Sequence, residues 1–416
     1  MRQPGELPPG TLPSWHRPVR AEVNLGALRR NAERLAALVA PAGLCAVVKA
    51  DGYGHGAVLV AEAALAGGAS WLAVATVDEG LLLRRGGIRA PVLVLSQPTP
   101  AALGAAADAE LTPTLDTLAG VAAAAQVAAA REQPWAVQVK VDTGMHRAGC
   151  LPEELPHLVR AIAASGRLRL SGLWTHLAVA DETEPEHREF TAAQLRRFEQ
   201  AAASLPGPAR ASLLCHAANS AAALTLPEAR YDLVRCGIAL YGLAPSPALA
   251  PAASALGLEP ALCWRAEVTR VQDLPAGARP SYGRRRPLPK AARVALVPVG
   301  YADGFPRRAF ERGLPVLIGG RPRPLAGQVT MDQILVDCGE DPVAVGDEAV
   351  LLGQQGDASL TAWDWARTLG TIAYEVICRI GPRVPRVPVG RDPAGGAPRE
   401  LEEVPGCQGS PLEAGG

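Results

Sequence analysis

The sequence predicts an α/β protein: a (β/α)8 barrel followed by a mainly β domain. Three observations carry this. Eight short apolar runs alternate with helix-length segments over the first 250 residues or so. No run is followed by G-x-G-x-x-G, the fingerprint of an open dinucleotide-binding sheet. From about residue 251 the pattern changes to short β-rich runs separated by Gly/Pro turns.

The apolar runs lie near 44–49, 71–76, 91–96, 111–115, 136–142, 169–176, 211–217 and 232–240. The fourth, LTPTL, is the weakest, because Pro113 has no N–H to give to a central ladder. The segments between them, such as HGAVLVAEAALAGGA and EHREFTAAQLRRFEQAAASL, have helical spacing. Strands alternating with helices imply parallel βαβ units, and eight of them in about 230 residues is the size of a closed barrel. A doubly wound open sheet is the alternative. Residues 17–250 are therefore assigned to the barrel and 251–390 to the β domain, with TAWDWARTLG as its one helical stretch. Residues 391–416 are rich in Gly, Pro and Glu and are expected to form a disordered tail.

At 416 residues and 48% hydrophobic, the chain can bury two sizeable cores. A formal net charge of zero argues against a nucleic-acid or membrane-surface binder. No apolar run reaches membrane-spanning length, and the proline-rich start lacks an apolar signal core, so a cytoplasmic location is expected. The eight cysteines are scattered, with no C-x-x-C pair, and are expected to be reduced and buried. Neither they nor the histidines cluster at metal-ligand spacing, and no metal is expected.

The basic residues are more informative. Of 41 lysines and arginines only Lys49, Lys140 and Lys290 are lysine. An arginine keeps its proton, whereas a lysine can lose it and then bond an aldehyde. Lys290, in the loop-like PLPKAAR, carries no further signal. Lys49 in VVKADGYGHG and Lys140 in VKVDTGMHRAG each end an apolar run. In a parallel barrel, chemistry gathers at the C-terminal ends of strands. Tyr53, Asp142, Arg147, His176, Asn219, Ser220, Arg235, Gly237 and Ile238 fall there too. A lone His176 is more often structural, and Ser220 could simply begin a helix. Together they offer an amine facing hydroxyls, backbone N–H groups and an arginine. That is the chemistry of a pyridoxal-phosphate site, with aldehyde on the lysine and phosphate on the far loops.

The motifs VVKADGYGHG, VKVDTGMHRAG, THLAVADE, HAANSAA, VRCGIALYGL, SYG, VGYADGFPR, QVTMDQ and IAYEVICRIGPRVPRV resemble, in order, those of the alanine racemase family, over roughly residues 17–390. The resemblance implies a fold-type III pyridoxal-phosphate enzyme that interconverts L- and D-alanine for peptidoglycan synthesis. It implies a head-to-tail homodimer in which each β domain completes the partner's site. Lys49 would hold pyridoxal 5'-phosphate and serve as one base. Tyr282, from the partner subunit, would be the other. Tyr53, Ser220, Gly237, Ile238 and Tyr374 would hold the phosphate. Arg235 would face the pyridine nitrogen, and Arg147 the ring's phenolic oxygen and the substrate carboxylate. Met331 would line the substrate site, and His176 would support Tyr282 and Arg235. Lys140 stands at the family's carbamylation position. Tyr301, Asp303 and Arg307 match its entry-channel segment. Gln328, where arginine is frequent, and His146, where glycine is common, depart from the pattern. Rival readings are another fold-type III enzyme, such as a decarboxylase or a broad-specificity racemase, a non-catalytic pyridoxal-phosphate carrier, and an unrelated sugar or phosphate enzyme. Arg235 speaks against a decarboxylase, the bulky Tyr374 and Met331 speak for a pocket fitted to a methyl side chain, and the SYG-bearing β domain speaks against the carrier.

Overall fold

The computed structural model describes residues 16–390, apart from 208–209 and 211–212. The tail expected at 391–416 lies outside the described residues, as does nearly all of the leader. The strands, numbered in chain order, begin with β1 (Val19–Asn24), which is followed by eight more: β2 (Gly43–Val47), β3 (Trp71–Val74), β4 (Val92–Val94), β5 (Thr112–Leu115), β6 (Trp135–Lys140), β7 (Leu168–Trp174), β8 (Leu214–His216) and β9 (Leu233–Cys236). Strands β2 to β8 pair in sequence, all parallel, and β9 pairs parallel with β2. The ring is nearly closed. Between β8 and β9 it is joined by Asp232 N–H to Cys215 O at 3.0 Å and Arg235 N–H to Ala218 O at 3.1 Å.

These are the eight runs read from the sequence. They are apolar throughout because helices cover one face and the barrel interior the other, so no alternation is needed. Strands β4 and β9 are buried at every position. Each fully buried Val or Leu contributes on the order of 1.5–3 kcal/mol. Pro113 does sit in a central strand. Strand β5 pairs with β4 through Thr112 and Pro113 and with β6 through Thr114 and Leu115. The ladder to β6 thus starts just after the residue that lacks an N–H.

The helices are started by local chemistry. Asn24 caps Leu25–Val39 by accepting from Ala27 N–H at 2.9 Å. Thr76 and Glu79 form a capping box on Val77–Arg85. Caps of this kind stabilise a helix by about 1 kcal/mol.

The second half adds β10 (Leu262–Glu267), β11 (Arg270–Leu274), β12 (Ala292–Val297), β13 (Val316–Ile318), β14 (Arg321–Arg323), β15 (Ile334–Asp337), β16 (Glu348–Gln355), β17 (Ala358–Leu360) and β18 (Arg386–Val389), with helices at Ala362–Leu369 and Ala373–Cys378. One sheet runs β14-β13-β16-β10-β1-β18, with β17 on β16, and a second runs β11-β12-β15. Strand β1 lies inside the span read as barrel, yet it pairs antiparallel with β10 and parallel with β18. The chain thus starts in the β domain's sheet before it enters the barrel. Asn31, on the first barrel helix, donates to Leu240 O and Glu259 O, and Arg34 pairs with Glu259 at 2.8 Å. These bonds lock the domain junction to the barrel wall.

Candidate active site

The mouth of the barrel is a cavity of about 720 Å³. Lys49, Tyr53, Lys140, Arg147, His176, Ser220, Arg235, Gly237, Ile238 and Tyr374 all line it. Most come from strand ends, and Tyr374 comes from the β domain's helix Ala373–Cys378.

Lys49 follows β2 directly. The next four residues, Ala50 to Tyr53, all have left-handed backbones, with φ between 51° and 60°. Such a turn costs about 1–2 kcal/mol at each residue with a side chain, so something must hold it. Ala50 N–H donates to Glu79 at 2.7 Å, and Asp51 accepts from Ala57 N–H at 2.9 Å. Gly54, at φ 81°, meets the β domain, where a Cβ would lie 2.4 Å from Ile377 O. Arg386 of β18 donates to Gly54 O at 2.9 Å. The β domain therefore clamps the turn that carries Lys49 and Tyr53, and this close approach requires a glycine. Backbone strain of this sort gathers at functional sites.

Beneath the cavity lies a cationic layer. The register aligns Lys140 of β6 with Trp174 of β7, and Trp174 with His216 of β8. Trp174 carries Lys140 Nζ at 4.9 Å from its ring centre and the Arg235 guanidinium at 4.7 Å, and it stacks on His216 at 5.7 Å. Cation–π contacts are stronger where water is excluded. Arg235 is almost wholly buried. One terminal nitrogen meets His216 Nδ1 at 2.6 Å, and the other meets His176 Nδ1 at 3.2 Å and donates to Thr175 O at 2.8 Å. Both imidazoles must accept from this guanidinium, so both are neutral. Burial, reinforced by Arg235, holds each well below the usual imidazole range. Burial draws Arg235 down to about 10, still a cation at neutral pH. Its Nε has no hydrogen bond among the described residues.

Both lysines are held towards the neutral amine. Burial, then Arg147 and Arg235, lower Lys140 to about 8. Burial and then Arg147 lower Lys49. Opposing contributions from Glu79 and Cys378 are smaller.

The third element is an anion cradle. Ser220 Oγ accepts from Gly237 N–H at 2.9 Å, and Asn219 caps the short helix Ser220–Thr225. At Gly237 a Cβ would lie 2.4 Å from the Tyr53 hydroxyl. The Tyr53 and Tyr374 rings lie 6.2 Å apart. Burial raises both phenols, which therefore stay protonated and can donate. Hydroxyls and backbone N–H groups suit a phosphate, with Asp181 as the acidic residue that also lines the cavity and adds to the rise at Tyr374.

Of the other predicted residues, all but Asp142, His146 and Asn219 lie on the β domain. Tyr282, Met331 and Tyr301 are exposed, at 74%, 52% and 42%. None lines this chain's cavity. Asp303 is fully buried and pairs with Arg17 at 2.7 Å and Arg383 at 3.3 Å. Gln328 is buried, and its amide donates to Arg307 O at 2.9 Å. His146 sits on a left-handed backbone (φ 56°) beside Asp142, at 3.3 Å. A left-handed position explains why glycine is at home there. The described cysteines are all free, but Cys215 and Cys263 are only half-buried, and Cys378 is exposed and lines the cavity. Among the described residues no group of His, Cys, Asp or Glu could hold a metal ion.

Residues 23–245 match the N-terminal domain of alanine racemase, and residues 261–388 match its C-terminal domain. The chain belongs to the alanine racemase family. It is 45% identical to an alanine racemase from Symbiobacterium thermophilum over 382 residues, covering 91% of this chain and 97% of that one. A solved alanine racemase from Streptomyces coelicolor is 42% identical and superposes with a TM-score of 0.82 over 90% of this chain and 98% of that one. A Bacillus anthracis alanine racemase with bound L-Ala-P is 34% identical and superposes at 0.83, covering 91% and 97%. The family's pyridoxal-phosphate-binding barrel is thus the barrel described above.

Trp174, His216 and Gln138 were missed as site residues. Gln138 Oε1 lies 2.9 Å from His216 Nε2. Since His216 Nδ1 accepts from Arg235, Nε2 is the N–H and Gln138 Oε1 is the acceptor. The available signal was register: Trp174 ends β7 as Lys140 ends β6.

Proposed function

We propose that the barrel mouth holds pyridoxal 5'-phosphate, and that Lys49 and the Tyr282 of a partner subunit are the two bases of a racemase acting on alanine. The reaction is the family's: interconversion of L- and D-alanine, supplying D-alanine for peptidoglycan. The observation that carries the reading is the meeting of a neutral-leaning lysine, a buried arginine and a hydroxyl-lined cradle in one cavity. Lys49 Nζ would join the cofactor's aldehyde. Tyr53, Ser220, Tyr374 and the backbone N–H groups of Gly237 and Ile238 would hold its phosphate. Arg235, with Nε unspent, would face the pyridine nitrogen. When bound, the cofactor withdraws electrons from the substrate's Cα and so makes its proton removable.

The chain's own groups do the rest. Racemisation takes a proton from one face of Cα and returns one to the other. Two bases on opposite faces do this directly, and each such proton transfer is worth about 10²–10⁴-fold. Lys49 must be unprotonated to accept, and burial beside Arg147 favours that form. Arg147 would pair with the substrate carboxylate and fix which face each base meets. A cation at Arg235 opposes protonation of the ring nitrogen, which limits side reactions. His176 and His216 hold that guanidinium in place. Lys140, partly neutral near pH 8, can take up CO2 as a carbamate, and the resulting anion would pair with Arg147. The exposed Tyr282 and Met331 fit a head-to-tail homodimer in which each β domain covers the partner's mouth.

A chiral assay of L-alanine, with and without added pyridoxal phosphate, tests the reading. D-alanine should form up to an equal mixture, and removal of the cofactor should stop it. Serine and lysine, run in parallel, should be turned over far more slowly. No D-alanine from the loaded protein would overturn the proposal.

A further inference from the structure

The ring of Tyr282 has nothing of its own to hold it. It is largely exposed, and its hydroxyl makes no hydrogen bond among the described residues. Within its own chain its position is set by its backbone, and the residue before it is unusual. Ser281 has φ 67° and ψ −174°, a region used essentially by glycine alone. A serine stays there only if its surroundings hold it. Ser281 Oγ donates to Gln328 O at 2.6 Å. The 327–328 backbone presses on the same turn: at Gly327 a Cβ would lie 2.4 Å from Pro280 O and 2.9 Å from Ser281 Cβ.

The support continues beyond that contact. Gln328 is buried, and its side chain ties down Arg307 O. Two residues further, Thr330 O and Met331 O accept from Tyr301 N–H and Ala302 N–H, both at 3.0 Å. Tyr282, Tyr301 and Met331 thus stand on one braced platform, and Ser281 is the link between that platform and the tyrosine.

We propose that Ser281 is the positioning residue for Tyr282, fixing the phenol's place through its hydroxyl bond to the Gln328 carbonyl. The inference rests on the reading of Tyr282 as one of two bases. A displacement on the order of 1 Å at a reacting group can cost about a hundredfold. Loss of the anchor should therefore act on one proton transfer and leave the other alone.

Glycine makes the test sharp. Ser281→Gly accepts the backbone angles without penalty but has no hydroxyl. Its apoenzyme should melt at or above the wild-type midpoint. Exchange of the Cα proton in D2O should fall about 10- to 100-fold for one alanine enantiomer and stay near wild type for the other. Ser281→Ala should show the same asymmetry with a lower melting midpoint. Tyr282→Phe is the control and should show the asymmetry in extreme form. Full exchange of both enantiomers by Ser281→Gly would overturn the role of the hydroxyl. Equal loss for both would show general damage and overturn it as well. A symmetrical Tyr282→Phe would instead remove the reading of Tyr282 as a base, and the role of Ser281 would fall with it.

Discussion

The barrel mouth and the Tyr282 platform are built by opposite means. In the mouth, Lys140 and Arg235 are buried and Lys49 is half-buried, and each has a fixed neighbour: a clamped turn, an indole face or an imidazole. Burial does the chemical tuning there, lowering Lys140 to about 8 and favouring the neutral form of Lys49. On the platform, Tyr282 and Met331 are exposed, and precision comes from a braced backbone rather than from packing. The contrast fits the proposed dimer, in which one chain would supply a cofactor pocket and, elsewhere, half of its partner's substrate pocket. Changes in the mouth should alter chemistry within each chain. Changes on the platform should act on a neighbour.

The largest effect should come from Lys49→Arg. A guanidinium cannot bond an aldehyde, and it keeps its proton. Activity should fall below a few per cent, and the absorption band of the lysine-bound cofactor, near about 420 nm, should disappear. Retained activity would break the contrast at its strongest point, since the mouth would then not depend on the Lys49 amine.

A smaller effect is expected at Lys140. Lys140→Ala should lose activity that acetate partly restores, because a small carboxylate can stand in for the carbamate beside Arg147. Carbamate formation needs the neutral amine. Its extent, read by carbon NMR with labelled CO2, should rise as pH passes upward through about 8. A fully active Lys140→Ala would leave Lys140 as a structural partner of Trp174 only.

How far the sequence reveals this contrast depends on which residues are asked. The eight barrel strands were legible because continuous apolar runs between helix-length segments have no other economical packing. The lysines stood out because arginine had replaced lysine nearly everywhere else. Strand β1 was not legible as part of the β domain, since its partners β10 and β18 lie more than 200 residues away and sequence order does not reveal sheet order. Trp174, His216 and Gln138 were hidden for a similar reason. A buried tryptophan or glutamine reads as ordinary core until the strand register sets it beside Lys140 and Arg235. The strain at Ser281 and through Ala50–Tyr53 was invisible, because serine, alanine and tyrosine at these backbone angles leave no compositional trace. The resemblance to the alanine racemase family supplied the roles of Tyr282 and Met331, which residue type alone did not.

The central claim is that one site is assembled from two chains, and mixing two inactive variants tests it most directly. Lys49→Ala breaks the mouth, and Tyr282→Ala breaks the platform. In a hybrid dimer one site carries both defects and the other carries neither. Random exchange of equal amounts makes about half the dimers hybrid, each with one working site of two. Recovery should therefore approach about one quarter of wild-type activity after subunit exchange. No recovery, with exchange demonstrated by a tag on one variant, would mean that each chain builds its site alone.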